Sequence, residues 1–310
     1  MRALRLATLA PLWLLATCVP EPATPPPRDA EVERSPGWSP PPWLPAGGPV
    51  SPWSLEQLDG DPRFASGPPV NARAWFLADL ERGEVLLAQD ADTPYAVASL
   101  TKLVSALAWA VEEPDPDQVL CVGPEQYPTR PGARSRFETG ACHAGWDWLG
   151  AALVASDNRG AMGLVALSGL TWDQFLENMR GVVDDVGGGP SEWSDPSGIE
   201  VGNRISARGM AKVAVAVAAH PVLSPVASAP TWSIQRDGGP QVLHTTNKLV
   251  ERFETLAAKT GFTVPAGYCY AGVVRTETGG QYVVVVLGAP SSAARWQASE
   301  RLLEWADTLP

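Results

Sequence analysis

Two strand-like runs near the start of the folded part and three near its end bracket a long helical middle, and no other feature constrains the fold as strongly. ARAWFLADL, the turn Glu81-Arg82-Gly83-Glu84 and VLLAQD read as a β-hairpin of apolar strands. LAAKTGFT, GYCYAGVVRT and YVVVVLGA read as three late strands, and RWQASERLLEWAD as a closing helix. Between the two sets lie LVSALAWAV, WDWLGAALVAS, GAMGLVALSG, WDQFLENMRGVV and SARGMAKVAVAVAAH, all with helical character. The expectation is an α+β fold: an antiparallel five-stranded sheet packed with helices, plus an inserted helical lobe.

Upstream of that domain the chain changes character twice. Arg2 and Arg5 precede an apolar run from Leu6 to Ala16 that is too short to span a bilayer as a mature helix, so residues 1–18 read as an export signal. It ends in Leu15-Ala16-Thr17-Cys18, which resembles a bacterial lipobox with Thr where a smaller residue is usual. Two outcomes stay open: lipidation of Cys18, which gives a lipid anchor to a membrane, or ordinary signal-peptidase cleavage nearby. Residues 19–67 are dominated by proline with few aliphatic side chains, and read as an extended tether. The expected catalytic domain is then 68–310.

Net charge and cysteine count narrow the partners. A formal charge of -11 argues against nucleic acid, whose phosphates need clustered Lys and Arg. In an oxidising periplasm Cys121 and Cys142 are candidate disulfide partners, since both sit in chain that reads as irregular. Cys269 lies in an apolar strand and reads as a buried thiol. His143, His220 and His244 fall in no metal or triad spacing, so neither a metal nor a cofactor is expected.

Lysine usage singles out a site. The chain has four lysines, Lys102, Lys212, Lys248 and Lys259, among 23 Lys and Arg residues in all. An Arg cannot lose its proton in a protein, whereas a buried Lys can do so near neutral pH and act as a base. Ser99 and Lys102, at i and i+3, share one helix face within mutual reach. Ser99 at the helix N-terminus also meets free backbone N–H groups and the positive end of the dipole. Ser156-Asp157-Asn158 follows a helix, where a hydroxyl and a carboxamide can relay a proton and hold a substrate amide. Lys259-Thr260-Gly261 sets a cation and a hydroxyl beside a residue small enough for a ligand to approach the backbone.

These three elements, in this order after an export signal, match the signature of penicillin-binding proteins and serine β-lactamases. The segments FLADLERGEVLLAQDADTPYAVASLTKLVSAL, SDPSGIEVGNRISARGMAKVA, TTNKLV, AAKTGFTVPAGYCYAGVV and VVVVLGAPSSAARWQASERLLEW resemble the low-molecular-weight D-alanyl-D-alanine carboxypeptidases from about residue 70 onward. The resemblance implies a serine β-lactamase/DD-peptidase-like fold and an acyl-enzyme mechanism on peptidoglycan peptides, with β-lactams as covalent inhibitors. It implies Ser99 as nucleophile, Lys102 as base, and Ser156 and Asn158 as proton relay and amide-binding residues. It also implies Lys259, Thr260 and Gly261 at the substrate carboxylate, and the backbone N–H groups of Ser99 and Phe262 as the oxyanion hole. An N-terminal lipid would replace the membrane helix that many family members carry at the other end.

Three rival readings remain. A β-lactamase shares the motifs, but the Glu-x-x-Leu-Asn loop of one large class is missing from the sequence. A DD-endopeptidase would use the same residues on crosslinks. A cell-wall binding protein could keep the fold without activity. Arg159-Gly160 departs from the Asp-Ala that usually follows the family's middle Asn.

Overall fold

The computed structural model describes residues 54–124, 135–236 and 239–310. The export signal, Cys18 and the proline-rich chain up to residue 53 lie outside the described residues. In chain order, β1 (Ala74–Asp79) and β2 (Glu84–Gln89) form the early hairpin, followed by the short β3 (Tyr95–Ala96) and α1 (Thr101–Ala110). The helical part comprises β4 (Val119–Cys121), β5 (Cys142–Ala144), α2 (Gly145–Leu153), α3 (Asn158–Leu167) and α4 (Trp172–Asp185). After β6 (Arg204–Ile205) come α5 (Ala207–Ala219) and α6 (Leu223–Ala227). The chain closes with β7 (Thr231–Ile234), β8 (Gln241–His244), β9 (Glu254–Thr263), β10 (Gly267–Arg275), β11 (Gln281–Ala289) and α7 (Ser292–Ala306).

The main sheet runs β2-β1-β11-β10-β9, with every neighbouring pair antiparallel. Its centre explains the run of valines in β11. Val283, Val285 and Leu287 face the larger core shared with α1 and α5, while Val284 and Val286 face a second core closed by α7. A strand covered on both faces has no polar side to show, so it reads as continuous rather than alternating hydrophobicity. The edge strand β9 packs against the 3-10 turn Ala98–Leu100 that leads into α1, and this contact brings two sequence motifs to one place.

Three features differ from the sequence reading. Residues 55–64, assigned by composition to the tether, are packed on the domain. Leu55–Asp59 forms a 3-10 turn that buries Leu58 at 1% exposure, and Asp59 pairs with the buried Lys212 at 2.7 Å. The N–H groups of Arg63 and Phe64 then bond to the carbonyls of Val85 and Leu86. Among the described residues the packed chain therefore includes residues 55–64, upstream of residue 68; proline masks a segment that needs only a few anchoring contacts. Cys121 and Cys142, read as irregular chain, are instead directly paired residues of the β4–β5 ladder and are joined by a disulfide. The β7–β8 hairpin has too short an alternation to stand out from the loops around it.

Candidate active site

The serine of the first motif sits in a turn held under strain. Ser99 is half-buried in the 3-10 turn, and Ala98 before it has φ 49°, unusual for a residue with a Cβ. The turn is fixed from behind. Thr101 Oγ1 donates to the Ala98 carbonyl at 2.7 Å and accepts from Asn203 Nδ2 at 3.0 Å. Gly198, at φ 77°, lies so close that a Cβ there would come within 2.0 Å of the Ala98 oxygen. A strained backbone persists only where its surroundings over-determine it, and these contacts do so.

Lys102 is fully buried, and its amine meets three oxygens: Ser99 Oγ at 3.0 Å, Asn158 Oδ1 at 2.7 Å and the Ser197 carbonyl at 2.5 Å. Two of these can only accept a hydrogen bond, so a neutral amine places its two N–H groups there and turns its lone pair toward the Ser99 hydroxyl. Burial lowers the Lys102 pKa to about 8, and nearby Asp195 and Asp157 keep it from falling further. Geometry and proton affinity thus make this amine chemically able to take a proton from Ser99.

The acceptors are themselves held. Asp157 caps α3, taking the N–H groups of Arg159 and Gly160 on one oxygen and that of Arg136 on the other, and so fixes the first turn where Asn158 stands. Asp195 accepts from the N–H groups of Ser197, Gly198 and Glu200 and from the Ser197 hydroxyl, turning the Ser197 carbonyl toward Lys102. Asn203 ties the same loop to Thr101. Ser156 has φ 58° at the joint between α2 and α3.

On the other side runs β9. Lys259 is 1% exposed, and its amine donates to the Thr260 carbonyl at 3.1 Å. Burial, together with the charges of Lys102 and Arg295, pushes its pKa well below the ordinary lysine value. Thr260 Oγ1 lies 2.6 Å from Thr246 Oγ1. Gly261 passes directly over the serine turn, where a Cβ would lie 2.6 Å from the Val97 carbonyl and 3.1 Å from the Ser99 nitrogen. Phe262 follows, exposed, with its ring on Tyr268. Arg295 at the start of α7 is buried and donates to the carbonyls of Gly261 and Cys269.

Ser99, Lys102 and Asn158 are therefore joined by hydrogen bonds, and Lys259 and Gly261 lie alongside. Sequence reasoning missed Asp195, Ser197, Asn203, Thr246 and Arg295. Asp195-Pro196-Ser197-Gly198 carries a turn signature, but only the tertiary contact reveals that its carbonyl faces Lys102. Arg159, which departs from the usual family residue, donates to the Phe137 carbonyl at 2.7 Å. Gly160 is demanded by packing, because a Cβ would lie 2.6 Å from the Ala152 nitrogen where α3 crosses α2.

A lysine amine buried against a serine at the head of a helix, beside the edge strand of an antiparallel sheet, defines a serine hydrolase of the penicillin-recognising class. The profile of the peptidase S11 family, D-alanyl-D-alanine carboxypeptidase, matches residues 62–291, and the chain belongs to that family. It is 27% identical over 256 residues to a D-alanyl-D-alanine endopeptidase of Escherichia coli, covering 79% of this chain and 80% of the relative. Penicillin-binding protein D2 of Listeria monocytogenes, solved in its cefotaxime-bound form, superposes with a TM-score of 0.67 at 26% identity, over 78% of this chain and 100% of that one. A D-alanyl-D-alanine carboxypeptidase of Mycobacterium tuberculosis shares the fold with a TM-score of 0.73 at 22% identity, over 81% of this chain and 97% of that one.

Proposed function

We propose that Ser99 is the nucleophile of a D-Ala-D-Ala carboxypeptidase that trims peptidoglycan stem peptides, with Lys102 as its base. The observation that carries this reading is the Lys102 amine, whose two obligate acceptors leave Ser99 as the only bonded group among the described residues with a proton to give. The neutral amine takes the Ser99 proton as Oγ attacks the carbonyl between the two D-alanines. The resulting oxyanion is received by the N–H groups of Ser99 and Phe262. The C–N bond then breaks, the proton passes to the leaving amine by way of Lys102 and Ser156, and an ester remains on Ser99. Water hydrolyses that ester with Lys102 again as base, which restores the serine. Lys259 and Thr260 hold the terminal carboxylate, and Asn158 the substrate amide. A β-lactam would enter the same first step and stay as a stable ester.

Incubation with purified monomeric and crosslinked muropeptides, followed by mass analysis, tests the substrate. Loss of one D-alanine from monomers is the expected result; an unchanged digest would sink the reading. The likeness to the Escherichia coli endopeptidase supports a second activity, cleavage of crosslinked dimers, which the same digest reads. Rapid turnover of a chromogenic cephalosporin would instead favour a β-lactamase. We place the enzyme in the periplasm, exported by residues 1–18 and lipid-anchored through Cys18, with residues beyond Cys18 as its tether. Cys18→Ala releasing the protein from the membrane fraction supports the anchor; unchanged membrane association contradicts it.

A further inference from the structure

The disulfide of the β4–β5 ladder closes a loop whose two cysteines are 21 positions apart. The part of that loop nearest β5 crosses to the head of α3. The Arg136 N–H donates to Asp157 Oδ2 at 2.7 Å, and the Phe137 carbonyl accepts from Arg159 at 2.7 Å. The Phe137 ring, 3% exposed, packs against Trp148 and His143. Glu138 forms an ion pair with Arg236 beyond the end of β7. Two of these ties, from Arg136 to Asp157 and from Arg159 to Phe137, fall on the residues flanking Asn158. The chain turns there through Ser156 in the left-handed region, a joint that needs support from its surroundings.

We propose that the segment Arg136–Glu138, stapled through Cys121–Cys142, is a positioning element that holds Asn158 against Lys102. The proposal rests on the reading of Ser99 as nucleophile and Lys102 as base. The Lys102–Asn158 bond is 2.7 Å long, and a hydrogen bond is lost by about 3.5 Å, so a shift of roughly 1 Å at the head of α3 removes it. A misplacement of that size typically slows a reaction by about 10²-fold. The amine is fully buried, and a head of α3 that moved away would let water reach it. Asp157, Asp195 and Lys259 are the charged groups facing that amine.

The experiment compares the oxidised full chain with the Cys121→Ser/Cys142→Ser double variant. Acylation by a fluorescent penicillin is followed at pH values on both sides of about 8, at a temperature where both proteins are folded. The expected result is acylation slowed by about tenfold to a hundredfold, with its pH midpoint displaced to the alkaline side as water reaches Lys102. A disulfide that only stabilises the fold would lower Tm and leave rate and midpoint in place; that result overturns the proposal. Should the double variant not fold, Phe137→Ala with the disulfide intact supplies the same two readouts, with the same expected and contrary results. A wild type that takes no label overturns the functional reading and this proposal with it. Full wild-type labelling beside an unmoved variant overturns the proposal alone.

Discussion

Lys102 and Lys259 are both buried lysines of one site, yet their surroundings differ in kind. Among the described residues Lys102 has three oxygen partners and two carboxylates nearby, whereas Lys259 has a single carbonyl partner and faces two other cations. Burial disfavours the charge on both. For Lys102 the carboxylates offset part of that penalty, which leaves its pKa at about 8. For Lys259 the neighbouring charges add to the penalty, and a substrate carboxylate would supply the missing counter-charge. In the proposed mechanism two residues of one type would serve opposite needs, the first to move a proton and the second to receive an anion.

Replacing each lysine by arginine tests that contrast most severely. A guanidinium keeps its charge but cannot serve as a base. Lys102→Arg should slow penicillin acylation by about 10²–10⁴-fold, the usual span for losing a general base. Lys259→Arg, which keeps the cation, should lose about tenfold, equivalent to roughly 1.4 kcal/mol. Stopped-flow acylation of both variants reads the order, and the reverse order would break the comparison.

Gly261→Ala asks whether the two sides must touch. The new methyl would meet the Val97 carbonyl and the Ser99 nitrogen, forcing β9 away from the serine turn. A loss of about 10²-fold in acylation is expected, comparable to removing an oxyanion donor. Acylation within a factor of two of wild type would show that the close approach is dispensable.

The pH profile sharpens the assignment further. In the proposed mechanism Lys102 works as the neutral amine, so acylation should rise about tenfold per pH unit below its pKa of about 8 and level off above it. A profile flat through that range would remove Lys102 as the base. The smallest kinetic effect is expected from Gly150→Ala, whose new methyl meets the Trp232 ring where α2 packs on β7. It should destabilise the fold by about 1–3 kcal/mol, with a Tm lower by several degrees, and leave the acylation midpoint in place. A displaced midpoint would mean that the α2–β7 contact itself tunes Lys102.

The parts of this molecule that were legible in the sequence are those fixed by local pattern. The sheet strands announce themselves because β11 is apolar on both faces, and Ser99 with Lys102 because their spacing needs only one turn of helix. Arg295 and Asn203 were illegible for the opposite reason. Each acts through a contact with distant chain, Arg295 on the Gly261 carbonyl and Asn203 on Thr101. Residues 55–64 escaped because composition reports the proline content of a segment and not the few side chains that dock it. The role of Ser197 rests on its carbonyl, a group every residue carries, so no side-chain pattern could single it out.

One covalent bond decides whether Ser99 is the nucleophile. Wild-type protein and Ser99→Ala are treated with a β-lactam, digested and mapped by mass spectrometry. The prediction is a single adduct on the wild-type peptide containing Ser99 and none in the variant. An adduct on any other residue, or equal labelling of the variant, would contradict Ser99 as the nucleophile.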